Sequence, residues 1–200
     1  MPFVPAVEEI VTAYLNGYYP MAKGRHGRIG FYYYEPRGII PLDDRFTVRR
    51  SLRQAIKKAN FEIRFDTAFE QVMRQCARYG SIPNAEVWIS EEMIPLYVEL
   101  HRQGIAHSVE TWAGGELVGG LYGLSFGSAF CGESMFSGVP YASQAALIGL
   151  VEHLRTRSYT LLDAQMVTEH LEQFGLIAIS QKEYLDKFRN AIADSQVTFS

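Results

Sequence analysis

Residues 105–137 decide the fold, and they read IAHSVETWAGGELVGGLYGLSFGSAFCGESMFS. Runs rich in β-branched, aromatic and other apolar residues predict strands at about 105–112, 116–125 and 128–135. Gly114-Gly115 separates the first two runs and is typical of a tight hairpin. The sequence therefore predicts consecutive antiparallel strands in the second half of the chain.

Helical patterns flank these strands on both sides. A helix is predicted at about 91–102 before them, and Pro140 is well placed to begin another at about 141–155. The remaining predicted elements are a strand at 159–164, a helix at 167–174, a strand at 176–180 and a helix at 182–191. This order predicts an α+β fold in which helices cover a mixed sheet.

The first eighty residues predict a smaller α/β unit. Its predicted elements are a helix at 6–16, strands at 31–34 and 38–42, a helix at 48–59, a strand at 61–65 and a helix at 67–79. Thr67 and Glu70 have the spacing of a capping box. Residues 18–30 resemble a loop, and residues 80–84 resemble a linker. We therefore expect a small N-terminal domain at 1–80 and a second domain at 81–200.

Composition limits the class of protein. The 200 residues are 48% hydrophobic and carry a formal net charge of −3, which disfavours non-specific coating of nucleic acid. No apolar run is long enough to cross a bilayer, and residues 1–11 lack the basic start of a secretory signal. Cys76 and Cys131 form neither a disulfide framework nor a metal-ligand pattern. We expect a cytoplasmic protein without a membrane anchor, metal or other cofactor.

A compact set of polar residues interrupts the apolar strands. Asp163 and Gln165 lie two apart on a predicted strand, so their side chains share one face. A carboxylate beside an amide can orient that amide, whose oxygen can accept a hydrogen bond from an attacking amine. Alternatively, Asp163 is a structural residue that caps the following helix. Glu133 ends another apolar strand and needs a partner, either a cationic substrate or a nearby arginine.

Two further patterns have both a functional and a structural interpretation. The glycines within 117–124 allow either a ligand or a packed helix to approach the strand. Helix 48–59 carries basic residues on one face, which could follow a phosphate backbone or form an ordinary solvated surface. The basic residues are Arg49, Arg50, Arg53, Lys57 and Lys58.

The motifs resemble those of the bacterial leucyl/phenylalanyl-tRNA–protein transferases. The resemblance extends from about Tyr14 to Tyr184, and the block Gly132–Ser137 with the downstream pair Asp163 and Gln165 is the most specific part. The other matching runs are Tyr19-Pro20-Met21, Glu35-Pro36-Arg37, Trp88-Ile89, His107–Trp112, Leu117–Gly123, Ala142-Ser143 and His170-Leu171.

This resemblance implies an acetyltransferase-like catalytic domain that moves Leu or Phe, and by extension Met, from aminoacyl-tRNA to N-terminal Arg or Lys. The product would mark the acceptor protein for degradation. Asp163, Gln165 and Glu133 would be catalytic. The concentration of basic charge on helix 48–59 favours Arg49, Arg50, Arg53 and Lys57 as the contacts for tRNA. Leu121, Phe130, Met135 and Leu147 would line the side-chain pocket, and Trp88 and Tyr32 would hold the terminal adenosine.

Two alternatives remain open at this point. An N-acetyltransferase would share the fold, but residues 134–141 lack the R-x-x-G-x-G pattern that binds coenzyme A, so coenzyme A is not expected. A non-catalytic tRNA-binding protein would use only the basic helix and exposed aromatics. On the transferase interpretation, Asp163→Asn should reduce turnover strongly with little loss of folding.

Overall fold

The computed structural model describes residues 4–79 and 88–200. The helices are α1 (Val7–Leu15), α2 (Arg50–Ala59), α3 (Phe69–Tyr79), α4 (Met93–Arg102), α5 (Ala142–Thr156), α6 (Glu169–Glu172) and α7 (Gln181–Ile192). The strands are β1 (Tyr19–Ala22), β2 (Ile29–Tyr32), β3 (Arg37–Ile40), β4 (Glu62–Phe65), β5 (Ala106–Ala113), β6 (Glu116–Phe126), β7 (Ala129–Ser137), β8 (Leu161–Gln165) and β9 (Ile177–Ile179).

A seven-stranded mixed sheet organises the molecule, in the order β4-β5-β6-β7-β8-β3-β9. Strands β7 and β8 are parallel, whereas their neighbours pair antiparallel. The predicted hairpin is confirmed, since β5 and β6 pair up to Ala113 and Glu116 around the two glycines. The predicted mixed sheet covered by helices is likewise confirmed.

Helices cover both faces of this sheet. Successive side chains of a strand point in opposite directions, so apolar residues on both faces need a helix to pack against. Leu121 and Tyr122 are neighbours on β6 and belong to different buried clusters. One cluster contains side chains of α1, α3, α4 and α7, and the other contains side chains of α2 and α5. The strand that carries a functional side chain on one face is therefore packed on its other face.

A glycine on β6 lets α5 lie close to the sheet. A Cβ at Gly119 would be 2.4 Å from the Cβ of Ala142, and Thr111 on β5 donates a hydrogen bond of 2.8 Å to the carbonyl oxygen of Ala142. For Gly119 the structure favours the helix-packing interpretation over close approach of a ligand.

Several local predictions were wrong, and tertiary contacts explain the differences. The predicted loop at 18–30 contains β1, because Tyr19 pairs with Tyr32 of β2. The helix predicted at 167–174 is reduced to α6. Thr67 does not form the predicted capping box with Glu70. Instead, its hydroxyl and backbone N–H both donate to the buried carboxylate of Glu110.

The proposed division into two domains stays a prediction, since the linker at 80–84 lies outside the described residues. Strands β3 and β4 come from the first eighty residues and pair within the same sheet as the later strands. Within residues 4–79 and 88–200, no helix is both long and apolar enough to cross a bilayer.

Candidate active site

The site lies where two neighbouring strands separate. Strands β7 and β8 pair in parallel from Ala129↔Leu161 to Cys131↔Asp163, and β7 then continues to Ser137. Residues 132–135 of β7 and 162–165 of β8 line opposite parts of one cavity. Separation of the strands thus opens the sheet and exposes the polar residues at its edge to an internal space.

This cavity has a volume of about 520 Å³, within the usual range for small-molecule sites. Its walls are mostly apolar and come from the sheet, from α5 and from the segment that follows β8. The apolar lining residues are Met21, Ile40, Trp88, Leu121, Met135, Leu147, Leu150, Leu162, Met166 and Leu171. Such walls suit an uncharged side chain the size of leucine or phenylalanine.

Asp163 is fully buried, and its carboxylate is occupied by the protein itself. Oδ1 accepts from Nε of Arg37 at 2.9 Å and from the backbone N–H of Gln165 at 2.8 Å. Oδ2 accepts from Nη2 of Arg37 at 2.5 Å and from the hydroxyl of Tyr184 at 2.9 Å. Asp163 is thereby linked to the neighbouring cavity residue Gln165 through the backbone of that residue.

Gln165 spans the gap between the separating strands. Its Nε2 donates to the carbonyl oxygen of Gly132 at 3.0 Å and to Oε1 of Glu133 at 2.7 Å. The opposite amide orientation would place an oxygen against the carbonyl oxygen of Gly132, which can only accept, so this contact fixes the orientation. Among the described residues the amide oxygen receives no hydrogen bond, and Gln165 lines the cavity.

Glu133 carries a buried carboxyl group whose two oxygens differ in their hydrogen bonding. Its Oε2 is buried and has no hydrogen-bond partner among the described residues. Burial, reinforced by the nearby Asp163 carboxylate, raises the pKa of Glu133 from 4.5 to about 8. The nearby Tyr14 hydroxyl and the hydrogen bond from Gln165 limit this rise in the pKa. The group therefore changes its protonation state close to neutral pH.

Comparison with known proteins places this chain in a family. Residues 39–189 match the sequence profile described as leucyl/phenylalanyl-tRNA protein transferase. A relative of that name from Chlorobaculum parvum is 47% identical over 94% of this chain and 95% of its own. Another from Paramagnetospirillum magneticum is 49% identical over 93% and 88%. The chain belongs to the leucyl/phenylalanyl-tRNA–protein transferase family.

A solved structure gives a weaker comparison. A ribosomal-protein-alanine N-acetyltransferase from Brucella melitensis biovar Abortus superposes with a TM-score of 0.39 at 15% identity, over 56% of this chain and 87% of that chain. At that TM-score the comparison says nothing about the chemistry of this chain.

The structure brings together most of the residues expected to form this transferase family's site. Asp163, Gln165 and Glu133 are adjacent, and Trp88, Leu121, Met135 and Leu147 line the cavity. Two expected substrate contacts lie elsewhere. Phe130 is fully buried in the core, and Tyr32 packs beside the other buried cluster without lining the cavity. Their roles as substrate contacts stay predictions.

The basic face predicted on helix 48–59 is present on α2. Arg49, Arg50, Arg53, Lys57 and Lys58 are exposed, and within the described parts of the chain none of them forms an ion pair. Their charges are available to phosphates. The opposite side of α2 contributes Leu52 to the core cluster that also contains the cavity residues Leu121 and Leu147.

Sequence reasoning did not assign a role to Arg37 or Tyr184. Arg37 belonged to the matching Glu35-Pro36-Arg37 run, and a charged residue next to the apolar residues of β3 was a usable signal. The structure also changes the expectation for Asp163→Asn. Removing that negative charge would leave Arg37 buried without a counter-ion, so folding stability should fall as well as turnover.

The two cysteines and His107 have surroundings typical of structural residues. Burial raises the pKa of the Cys76 and Cys131 thiols, which disfavours the nucleophilic thiolate. His107 bonds to Asp66 and to the carbonyl oxygen of Gly104, which supports a structural role. Within residues 4–79 and 88–200, no cluster of His, Cys, Asp and Glu could hold a metal ion.

The pKa of Glu133 predicts a pH-dependent stability. Between pH 4.5 and about 8 the folded protein retains a proton that the unfolded chain has lost. Glu133 therefore makes the free energy of unfolding fall as pH rises through this window, by up to about 1.4 kcal/mol per pH unit. Glu133→Gln, which mimics the protonated acid, should remove this contribution and be relatively most stable above pH 8.

Urea unfolding at several pH values measures this difference. Glu116→Gln, at an exposed hairpin position, is the matched control and should follow the unmodified protein. A Glu133→Gln profile parallel to that of the unmodified protein from pH 4.5 to 8 would contradict the burial argument.

Proposed function

We propose that the protein transfers Leu or Phe, and by extension Met, from aminoacyl-tRNA to the N-terminal Arg or Lys of acceptor proteins. Family membership and the names of the relatives support the donor and the reaction. The observation that carries the proposal is the Gln165 amide at the edge of an apolar cavity, where its oxygen receives no hydrogen bond from the described residues. Marking of the acceptor for degradation and a cytoplasmic location are part of the proposal.

The reaction is aminolysis of an ester. The acceptor's α-amine attacks the aminoacyl carbonyl carbon, a C–N bond forms, the ester C–O bond breaks, and the ribose hydroxyl leaves with a proton. The attacking amine must be neutral, which its ordinary pKa near 8 permits. Because the ester is already activated, holding the two reactants in place supplies much of the rate acceleration.

Each group at the site has a defined part in this proposal. The apolar cavity holds the transferred side chain, and the flexible Met135 thioether lets it accept both leucine and phenylalanine. Gln165 accepts a hydrogen bond from the amine and directs its lone pair at the ester. Either Gln165 or a hydroxyl of the substrate passes on the proton. Glu133 assists the cationic acceptor or the ribose, and Trp88 holds the adenosine.

No part of this scheme requires a cofactor. The ester bond of aminoacyl-tRNA supplies the driving force, so neither coenzyme A nor a metal is included in the proposal.

Substitution of Gln165 tests the proposal directly. Gln165→Met keeps the length of the side chain and removes the acceptor oxygen, so kcat for transfer of labelled Leu or Phe should fall about 100-fold. The assay uses charged tRNA and a peptide beginning with Arg, with an N-acetylated peptide as a blank. Gln103→Met, at an exposed helix end, is the matched control.

The outcomes separate the candidate functions. Unchanged transfer by Gln165→Met would exclude the amide from the reaction. Absence of product with every charged tRNA, together with equal binding of charged and uncharged tRNA, would support a non-catalytic RNA-binding protein. Acetylation of the peptide by acetyl coenzyme A would support an N-acetyltransferase.

The exposed basic face of α2 predicts the surface that contacts the tRNA body. Reversing Arg50, Arg53 and Lys57 to Glu should weaken tRNA binding and reduce the slope of log K against log salt by about 3. Filter binding across a salt series measures both quantities.

The control reverses three exposed basic residues on α7 instead, which changes net charge equally. Those residues are Lys182, Lys187 and Arg189. If reversal on α2 leaves the salt slope at the value of the α7 control, tRNA binds another surface.

A further inference from the structure

Arg37 is a charged side chain placed where charge is costly. It is fully buried, and removing a guanidinium from water is expensive unless its partners are well arranged. Its group lies 5.2 Å from the ring centroid of Tyr19 and 4.3 Å from that of Tyr184. One edge binds both carboxylate oxygens of Asp163, and Nη1 donates to the carbonyl oxygen of Gly17 at 3.3 Å. The two rings and the carboxylate leave the guanidinium one orientation.

The contacts of Arg37 extend through Asp163 to Gln165. Asp163 uses one oxygen for both Arg37 Nε and the backbone N–H of Gln165, so the position of the guanidinium determines where that N–H is held. Gln165 has a φ of 60°, in the left-handed region that a residue other than glycine adopts at a cost. The hydrogen bond from its N–H to Asp163 helps to hold the backbone in that conformation and aims the side chain across the gap.

The backbone of β3 supports the same residue. Gly38, next to Arg37, is opposite Gln165 in the pairing of β3 with β8. A Cβ at Gly38 would be 2.8 Å from the carbonyl oxygen of Met166, so the two segments are in close contact. A shift of Arg37 would therefore move the segment that carries the amide.

We propose that Arg37 and Tyr184 are positioning residues for aminoacyl transfer, which act through Asp163 to hold the amide of Gln165 at the cavity. This inference rests on the proposed function. Neither side chain needs to contact the substrate. The guanidinium fork and the Tyr184 hydroxyl set the position of the Asp163 carboxylate, and Asp163 sets the position of Gln165.

Tyr184→Phe is the mildest test, because it removes one hydroxyl and keeps the ring beside Arg37. We expect kcat to fall about tenfold, equivalent to about 1.4 kcal/mol, and KM for aminoacyl-tRNA to change less than about twofold. Tyr159→Phe is the matched control, since Tyr159 is a buried tyrosine outside the cavity whose hydroxyl bonds to Ser125. It should leave kcat unchanged.

Arg37→Lys tests the fork. Lysine keeps the charge but binds a carboxylate as a single point, so it cannot hold both oxygens of Asp163 in one plane. We expect kcat to fall about 100-fold with KM nearly constant. If this variant does not fold, Tyr184→Phe still tests the proposal.

A double-mutant cycle distinguishes positioning from a general effect on stability. If Tyr184 acts through Gln165, Tyr184→Phe should cause no further loss of kcat in a Gln165→Met background. Hydrogen exchange provides a readout apart from activity. The backbone N–H of Gln165 should exchange faster in Tyr184→Phe and Arg37→Lys, and at the unmodified rate in Tyr159→Phe.

Failure of the inference and failure of the proposed function give different results. If the unmodified protein transfers Leu or Phe and Tyr184→Phe matches the Tyr159→Phe control, the positioning role is wrong. Additive losses in the double-mutant cycle would overturn it as well. If the unmodified protein makes no product, the proposed function fails. The hydrogen-exchange rate of the Gln165 backbone N–H then decides whether Arg37 and Tyr184 hold this residue. An unchanged rate in both variants would overturn the positioning role.

Discussion

The buried ion pair of Arg37 and Asp163 is the interaction on which the site depends. Both side chains are removed from solvent, so each charge is tolerated only because the other lies against it. The pair joins β3 and β8, which are neighbours in the sheet, although Arg37 and Asp163 lie 126 residues apart in the sequence. Closing this contact therefore completes the centre of the sheet and at the same time fixes the backbone of Gln165.

The Arg37–Asp163 ion pair lies at the point where β7 and β8 separate. Parallel pairing that ends at Cys131↔Asp163 leaves a gap, and the Gln165 amide bridges it to Gly132 and Glu133. The apolar cavity begins at this gap, so in the proposed reaction the transferred side chain and the amide would share one space. Aminolysis of an activated ester needs orientation more than strong acid–base chemistry, and in the proposed function the rigidly held amide supplies that orientation.

Local sequence patterns predicted the elements better than their ends. The glycine hairpin and the α2 and α5 helices follow from spacing, whereas α6 is shorter than its pattern because tertiary contacts determine where a helix ends. Strand spacing paired Asp163 with Gln165, whereas the addition of Glu133 to that site came from family motifs. The hold of Arg37 and Tyr184 on Asp163 could not be predicted, since it joins three distant segments. Phe130 shows the same limit, because burial depends on which face of β7 it occupies.

The most direct measurement is the single-turnover rate of aminoacyl transfer by Asp163→Asn at saturating charged tRNA, below its unfolding temperature. Asparagine has nearly the size of aspartate but carries no charge to neutralise Arg37. Its NH2 group also cannot accept the hydrogen bonds that the second carboxylate oxygen of Asp163 accepts. The account predicts a rate about 100-fold below that of the unmodified protein, with tRNA affinity nearly unchanged. A rate equal to that of the unmodified protein would contradict it.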